Sequence, residues 1–226
     1  MSELNPSVRS LARHELARIL DHTLRRADAT AREIETLCAE ARAHGFFSVC
    51  VNGSRVAQAA ARLEESDVKV SCAIGFPLGA ADADVKRYEV EAALDSGAQI
   101  FEVAANLGLI KDGDDAALLR ELRDLVEAAD ERPVSIGFDP QLLRGDELAH
   151  LCRLVVEAGA KGVSIAGHAE TAISVQSAAK IAAATGENFG IKVDCHSLAR
   201  ADIVALLDAG VTRFGLADGV HLLTSL

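Results

Sequence analysis

Short β-rich runs alternate with longer amphipathic segments eight times along this chain. Apolar residues recur at helical spacing in the longer segments, most clearly in 28–45, where Ile34, Leu37, Cys38 and Ala41 share one face. Eight β–α units in succession indicate a parallel sheet, and eight strands suit a closed barrel. The predicted strands are 17–22, 46–51, 68–75, 99–105, 133–138, 161–166, 189–194 and 212–217. Further helices are predicted at 54–65, 82–96, 113–130, 145–158, 169–185 and 197–209.

The helix ends repeat almost the same phrase, "DSGAQI" at 95–100, "EAGAKG" at 157–162 and "DAGVTR" at 208–213. Each places a glycine after the helix, where a left-handed residue ends it. No linker or low-complexity tract divides the chain, so we expect one α/β domain over 1–226, a (β/α)8 TIM barrel with an extra N-terminal helix near 6–18. A doubly wound open sheet is the alternative, but its G-x-G-x-x-G fingerprint is missing.

Composition restricts the partners and the compartment. The net charge of −11 argues against nucleic-acid binding and against attraction to an anionic membrane. Five cysteines are an odd number and form no C-x-x-C pair, the N-terminus lacks a signal-peptide core, and no apolar run reaches membrane-spanning length. We expect a reduced cytoplasmic protein with no cofactor and no bound metal, and we leave a homodimer open.

The barrel predicts where the chemistry lies, because active sites of this fold sit at the C-terminal ends of the strands. In "FGIKVDCHSLAR" (189–200), strand alternation turns Lys192, Asp194 and His196 to one side. Lys192 is the single cation that we expect to project inward. The other polar residues at the strand ends are Asp21, His22, Cys50, Asn52, Glu102, Asn106, Ser135, Asp139, Ser164, His168 and Asp218.

Several motifs together resemble the deoxyribose-phosphate aldolase family. They are "ILDHTL" (19–24), "FFSVCVN" (46–52), "AIGFPLGA" (73–80), "AANLGLIKDGD" (104–114) and "IKVD" (191–194), and the match runs from about Leu16 to Leu222. The resemblance implies a cofactor-free class I aldolase on a TIM barrel, which joins acetaldehyde to an aldehyde phosphate through a Schiff base on a lysine. It implies catalytic roles for Asp21, Cys50, Lys192 and, in place of an aspartate, Glu102.

Two lysines that the resemblance calls for are missing. Ser164 stands where the family has its Schiff-base lysine, and Ser135 replaces the lysine of strand five. A serine hydroxyl cannot form an imine, so Lys192 is the remaining amine for that role.

The phosphate site differs as well. The family uses serines and glycines after strands seven and eight, where this chain has Asp194-Cys195-His196 and Ala217-Asp218. A carboxylate at about 5 Å repels each unit of phosphate charge by about 3 kcal/mol at an effective dielectric of about 20. We therefore expect a small carbonyl substrate without phosphate.

Two kinds of enzyme remain open, together with a non-enzymatic alternative. The first is an aldolase-type lyase, with an imine on Lys192 and with Glu102, Asp21, Cys50 and Asp139 assisting. The second is a cofactor-free acid–base isomerase, cyclase or dehydratase, with a metal held by Asp194, His196, Asp139 and Glu102 as a variant. A ligand-binding relic of the aldolase fold is the third. The substrate contacts predicted in either enzyme are Ser135, Ser164, Asp194, His196, Asp218, Asn106 and His168.

Overall fold

The protein is a closed barrel of eight parallel strands in sequence order, seen in a computed structural model that describes residues 11–166 and 174–224. Each strand pairs with the next along the chain, and β8 closes the barrel on β1. The predicted TIM barrel is therefore confirmed. The strands are β1 (Leu20–Leu24), β2 (Ser48–Asn52), β3 (Lys69–Ile74), β4 (Ile100–Ala104), β5 (Val134–Phe138), β6 (Gly162–Ala166), β7 (Gly190–Cys195) and β8 (Arg213–Leu216).

Helices follow the strands and surround the barrel. Short 3-10 turns at Gly53–Arg55 and Pro140–Leu142 complete the described elements. The helices are α1 (Arg13–Ala17), α2 (Ala31–His44), α3 (Val56–Leu63), α4 (Ala83–Asp95), α5 (Leu107–Asp112), α6 (Asp115–Ala128), α7 (Glu147–Glu157), α8 (Val175–Thr185), α9 (Arg200–Asp208) and α10 (Gly219–Thr224).

The ends of α2 show how local sequence sets the boundaries of these helices. Thr30 caps the first turn by accepting a hydrogen bond from the Glu33 amide, and Glu33 bonds back to the Thr30 amide at 2.8 Å. This reciprocal pair is a capping box. The helix ends at Gly45, whose φ of 71° lies in the left-handed region that glycine adopts without strain.

Strand alternation divides the buried residues into two groups of opposite character. Outward residues such as Val49, Phe101 and Val103 are fully buried against the surrounding helices, which supply apolar partners such as Leu118 and Leu122 of α6. Inward positions carry many of the buried polar and charged side chains, namely Asp21, Ser48, Ser71, Glu102, Ser164, Lys192 and Asp194. The apolar core therefore lies around the barrel, and the polar residues lie inside it.

Some predicted boundaries need correction. The first strand begins at Leu20, because 13–17 form α1, which is the described part of the N-terminal helix predicted near 6–18. Helices α5 and α10 were not predicted, since each is only six residues long. The start of the helix predicted over 169–185 lies outside the described residues. Within the described ranges, no helix has the length and apolarity needed to cross a membrane.

Candidate active site

A cluster of six charged side chains fills the middle of the barrel. Lys192 of β7 lies at its centre, where its Nζ is 3.0 Å from Asp21 Oδ2 and 3.2 Å from Asp194 Oδ1 and also contacts Glu102 Oε1. Lys192 therefore contacts three carboxylates at once.

Two arginines join this cluster, so the expectation that Lys192 is the single inward cation is wrong. Arg213, the first residue of β8, forms an ion pair with Asp21 and stacks 3.7 Å above the Phe47 ring. Arg25 follows β1 and turns back into the mouth of the barrel, with Nη1 3.4 Å from Asp194 Oδ2. Three cations thus face three carboxylates.

Hydrogen bonds from serines orient two of the carboxylates. Ser71 Oγ donates to Glu102 Oε1 at 2.9 Å, and Ser164 Oγ donates to Asp194 Oδ2. Ser164 thus acts as a hydrogen-bond donor to a carboxylate of the cluster. Gly215 leaves space for this arrangement, because a Cβ there would lie 1.7 Å from Asp194 Oδ1 and 2.7 Å from Lys192 Cε.

The charges in the cluster set the protonation states. Burial alone would lower the pKa of Lys192, but Asp194, Glu102 and Asp21 together raise that pKa well above its ordinary value. Burial raises the pKa of the Asp194 carboxyl, yet Arg25 and Lys192 outweigh it and leave that pKa below its usual range. The pKa of Asp21 is lowered in the same way, with Lys192 and Arg213 outweighing its burial. Lys192 is therefore an ammonium and both aspartates are carboxylates at neutral pH.

Cys50 belongs to the deep layer of this interior. Its side chain is fully buried, and burial, with Glu102 adding to it, raises the pKa of the thiol well above its ordinary value. A protonated thiol is a poor nucleophile. None of the five cysteines is paired in a disulfide.

A cavity of about 870 Å³ opens above the cluster at the C-terminal end of the barrel. Five of the predicted site residues line it, and Arg25 lines it too. Asp21, Cys50 and Lys192 lie on β1, β2 and β7 and are not among the lining residues. The predicted residues on the cavity wall are Glu102, Asp139, Ser164, Asp194 and His196.

Of the remaining predicted substrate contacts, those within the described residues do not line the cavity. Ser135 is half-buried on β5 opposite Glu102 and Gly162, and Asn106 precedes α5. Asp218 is half-buried immediately before α10. His168 lies outside the described residues. The structure thus brings together the residues of β4, β6 and β7, with Ser135 in register beside Glu102, whereas Asn106 and Asp218 follow their strands and do not line the cavity.

Two other predicted arrangements can be compared with the described residues. No group of three or more His, Cys, Asp or Glu residues in the described ranges is placed to hold a metal ion, and Glu102 and Asp194 both face Lys192 and Arg25. His22 turns out of the barrel towards α2, where Nε2 is 2.8 Å from Glu40 Oε2.

Comparison with known proteins finds relatives that belong to one family. No family model matches the chain. The deoxyribose-phosphate aldolase of Geobacillus sp. (strain WCH70) is 36% identical over 211 residues, which cover 92% of this chain and 95% of that relative. Deoxyribose-phosphate aldolase 1 of Bacillus licheniformis is 36% identical over 214 residues, covering 94% of this chain and 96% of the relative.

A solved structure agrees with these relatives. The tetrameric deoxyribose phosphate aldolase of Aeropyrum pernix superposes with a TM-score of 0.86 at 26% identity, covering 95% of this chain and 92% of that one. Since sequence and structure agree over nearly the whole length, the chain belongs to the deoxyribose-phosphate aldolase family and is an aldolase-type lyase.

Proposed function

We propose that this lyase makes or breaks a carbon–carbon bond in a small carbonyl compound that carries no phosphate group. The observation that carries the proposal is the floor of the cavity, where Glu102 and Asp194 stand beside Ser164 and no described lysine lines the wall. A carboxylate at this position can take the hydroxyl proton of a β-hydroxy carbonyl compound and later return it to carbon.

The residues after β7 and β8 support a substrate without phosphate. Asp194 and Asp218 introduce carboxylates into segments that would need hydrogen-bond donors to hold a phosphate. Asp194 is paired with Lys192 and Arg25, so its repulsion of an anion is weaker than that of an unpaired carboxylate. The case against a phosphate group therefore rests mainly on the missing hydrogen-bond donors after β7 and β8 and on the carboxylate of Asp218.

The position of Lys192 weighs against the imine that the sequence suggests. An amine must be neutral to attack a carbonyl, and the three surrounding carboxylates keep Lys192 protonated. Glu102 and Asp194 also separate Lys192 from the cavity. We therefore assign the proton transfers to Glu102. Lys192 lies beneath Glu102 and Asp194 and stabilises their charged forms through its ion pairs with them.

A matched set of substrates tests the proposal. The enzyme is incubated with 3-hydroxybutanal, 2-deoxyribose and 2-deoxyribose 5-phosphate, and the release of acetaldehyde is measured. We expect cleavage of an unphosphorylated aldol and no advantage from the phosphate. Cleavage of the sugar phosphate alone, or of none of the three, contradicts the proposal. Borohydride added during turnover, followed by intact mass measurement, should leave Lys192 unmodified.

The variant Asp194→Ser/Asp218→Ser sharpens the phosphate argument. It removes both carboxylates and returns hydroxyl donors to both segments. Inorganic phosphate should bind this variant more tightly than the unaltered protein, as measured by calorimetry. Equal phosphate affinity in the two proteins would show that these aspartates do not exclude phosphate.

A further inference from the structure

Arg25 is a cation in the cavity wall to which neither the motifs nor the proposed function gives a role. It follows the last residue of β1 and turns back over the mouth, with its side chain only 14% exposed. We infer that Arg25 is the catalytic cation that stabilises the enolate oxygen during carbon–carbon bond cleavage and formation. The inference rests on the proposed aldol chemistry and extends it to the group that replaces the imine.

Contacts on several sides hold Arg25 in place. Nη1 lies 3.4 Å from Asp194 Oδ2 and 3.7 Å from Glu102 Oε2, and the guanidinium carbon lies 4.6 Å from the centre of the Phe76 ring. The Arg25 carbonyl oxygen accepts a hydrogen bond of 3.0 Å from Asn52 Nδ2, which fixes the backbone. A preorganised cation of this kind stabilises developing negative charge without reorganisation during the reaction.

Arg25 is better placed than Lys192 to meet a substrate oxygen. Arg25, Glu102 and Asp194 line the cavity, whereas Lys192 lies beneath the two carboxylates. Arg25 contacts Asp194 and Glu102 through Nη1, at 3.4 Å and 3.7 Å. A planar guanidinium presents five N–H groups in a fixed fork, which suits it to bind an oxyanion as well as a carboxylate.

The charge balance of the cluster fits such a step. Asp21, Glu102 and Asp194 carry three negative charges, and Lys192, Arg25 and Arg213 carry three positive charges, so the resting cluster is neutral. When Glu102 takes the hydroxyl proton of a β-hydroxy carbonyl compound, the cluster gains one net positive charge. The enolate formed at the same time supplies the opposite charge.

The bond changes balance without a further reactant. The O–H electrons form the carbonyl of the first product as the adjacent carbon–carbon bond breaks. That electron pair moves through the α-carbon to the original carbonyl oxygen, which becomes an enolate beside Arg25. The proton held by Glu102 then adds to the α-carbon and releases the second carbonyl product, and Glu102 is again a carboxylate.

Enolate formation can be measured without the full aldol reaction. Acetaldehyde is incubated with the protein in D2O, and deuterium incorporation at its methyl group is followed by proton NMR. Arg25→Met should slow the exchange by about 100-fold, the usual loss when one oxyanion donor is removed. Arg25→Lys, which keeps the charge and loses the planar fork, should fall between Arg25→Met and the unaltered protein.

Arg123 provides a matched control away from the cavity wall. It forms an ion pair of 2.9 Å with Glu157, and its side chain is 54% exposed. Arg123→Met should exchange within about twofold of the unaltered protein, since exposed ion pairs contribute little. A folded Arg25→Met variant that exchanges as fast as Arg123→Met overturns the inference while leaving the proposed function intact.

Binding of an enolate mimic gives a readout that does not depend on turnover. Acetohydroxamate, as its anion at alkaline pH, is titrated calorimetrically into the unaltered protein, Arg25→Met and Arg123→Met. Loss of affinity confined to Arg25→Met supports the inference. Equal affinity in all three proteins, or no binding to any, overturns it. If the unaltered protein neither exchanges acetaldehyde nor cleaves an aldol, the proposed function itself fails, and that result is distinct from a loss confined to Arg25→Met.

Discussion

Two lysines are buried in the described part of the chain, and their surroundings differ. Lys86 of α4 lies outside the barrel, where it pairs with Glu121 of α6 and donates to the carbonyl oxygens of Gly79 at 2.9 Å and Ala104 at 3.3 Å. One carboxylate and two carbonyls satisfy its three N–H groups. Lys192, inside the barrel, instead faces three carboxylates.

The comparison separates a structural ion pair from a functional cluster. Lys86 joins the loop after β3 to the end of β4, at a point where Gly79 passes so closely that a Cβ would lie 2.1 Å from the Ala105 oxygen. Its charge is balanced locally and it contacts backbone. Lys192 leaves two negative charges to be balanced by Arg25 and Arg213, and two of its carboxylates line the cavity. Several buried carboxylates beside a cavity indicate chemistry better than a buried lysine does alone.

The largest effect should come from Lys192→Met. It removes one cation from among three buried carboxylates, so the free energy of unfolding should fall by about 3–5 kcal/mol. Aldol cleavage should also be lost, because the charge balance around Glu102 changes. Urea denaturation and acetaldehyde release measure the two effects. The exposed Lys161 gives the control, and a Lys192→Met variant as stable and active as Lys161→Met would contradict the role assigned to this cluster.

Removing the partner carboxylate together with each lysine tests the comparison directly. Lys86→Met alone should cost about 3 kcal/mol of unfolding free energy, because it leaves Glu121 buried without its cation. Lys86→Met/Glu121→Leu should recover most of that stability and should keep the activity. Lys192→Met/Glu102→Gln also restores charge balance and should recover stability, yet it should remain inactive. Recovery of activity in this second double variant would remove Glu102 from the mechanism.

Gly215→Ala should have a smaller effect that is specific to the cluster. The added Cβ collides with Asp194 and Lys192, and such overpacking costs about 1–3 kcal/mol. Gly137 is the matched control, since a Cβ there would meet its nearest atom at 3.6 Å. Thermal denaturation and acetaldehyde release should both change more in Gly215→Ala than in Gly137→Ala. Equal changes would mean that the barrel interior adapts to the methyl group.

The smallest expected effect is on the pH dependence of stability. The pKa values of Asp21 and Asp194 are lowered in the folded state, so their contribution is present above the unfolded value of about 3.9 and is lost as the pH falls through the folded values. The pKa of Lys192 is raised, so its contribution is present below the unfolded value of about 10.4 and is lost as the pH rises through the folded one.

Urea denaturation across this pH range should therefore show stability falling at both extremes. Lys192→Met should remove the fall on the alkaline side, and Asp194→Asn should reduce the fall on the acid side. Asp218→Asn serves as the control for a carboxylate outside the cluster. An unchanged alkaline limb in Lys192→Met would assign that limb to other groups.

Strand alternation explains why much of the interior could be predicted. It is set by the backbone of each strand, so Asp21, Glu102, Ser164, Lys192 and Asp194 lie inward as their positions indicate. Register between strands and the direction of a loop depend on distant contacts. Arg25 lies beyond the end of β1, and its direction depends on Phe76 and Asn52, so no local pattern pointed to it.

Arg213 and Lys86 differ in whether the sequence could have predicted their burial. Arg213 stands two positions before Gly215 on β8, and the same alternation turns it inward, but it lies at the N-terminal end of its strand, opposite the end at which active sites of this fold occur. Lys86 has no such signal, because a lysine on an amphipathic helix is usually exposed. Its burial follows from how α4 and α6 pack together.

The bare backbone at Gly215 constrains the order in which this interior could have arisen. Asp194 fits because residue 215 has no side chain, and a methyl group there would occupy the position of its carboxylate. An ancestor with alanine at 215 would have had to lose that methyl group before an aspartate at 194 became tolerable. A glycine at 215 therefore had to be in place before the aspartate at 194, or to arise together with it. Reconstructed ancestral sequences carrying Asp194 should therefore carry Gly215 as well.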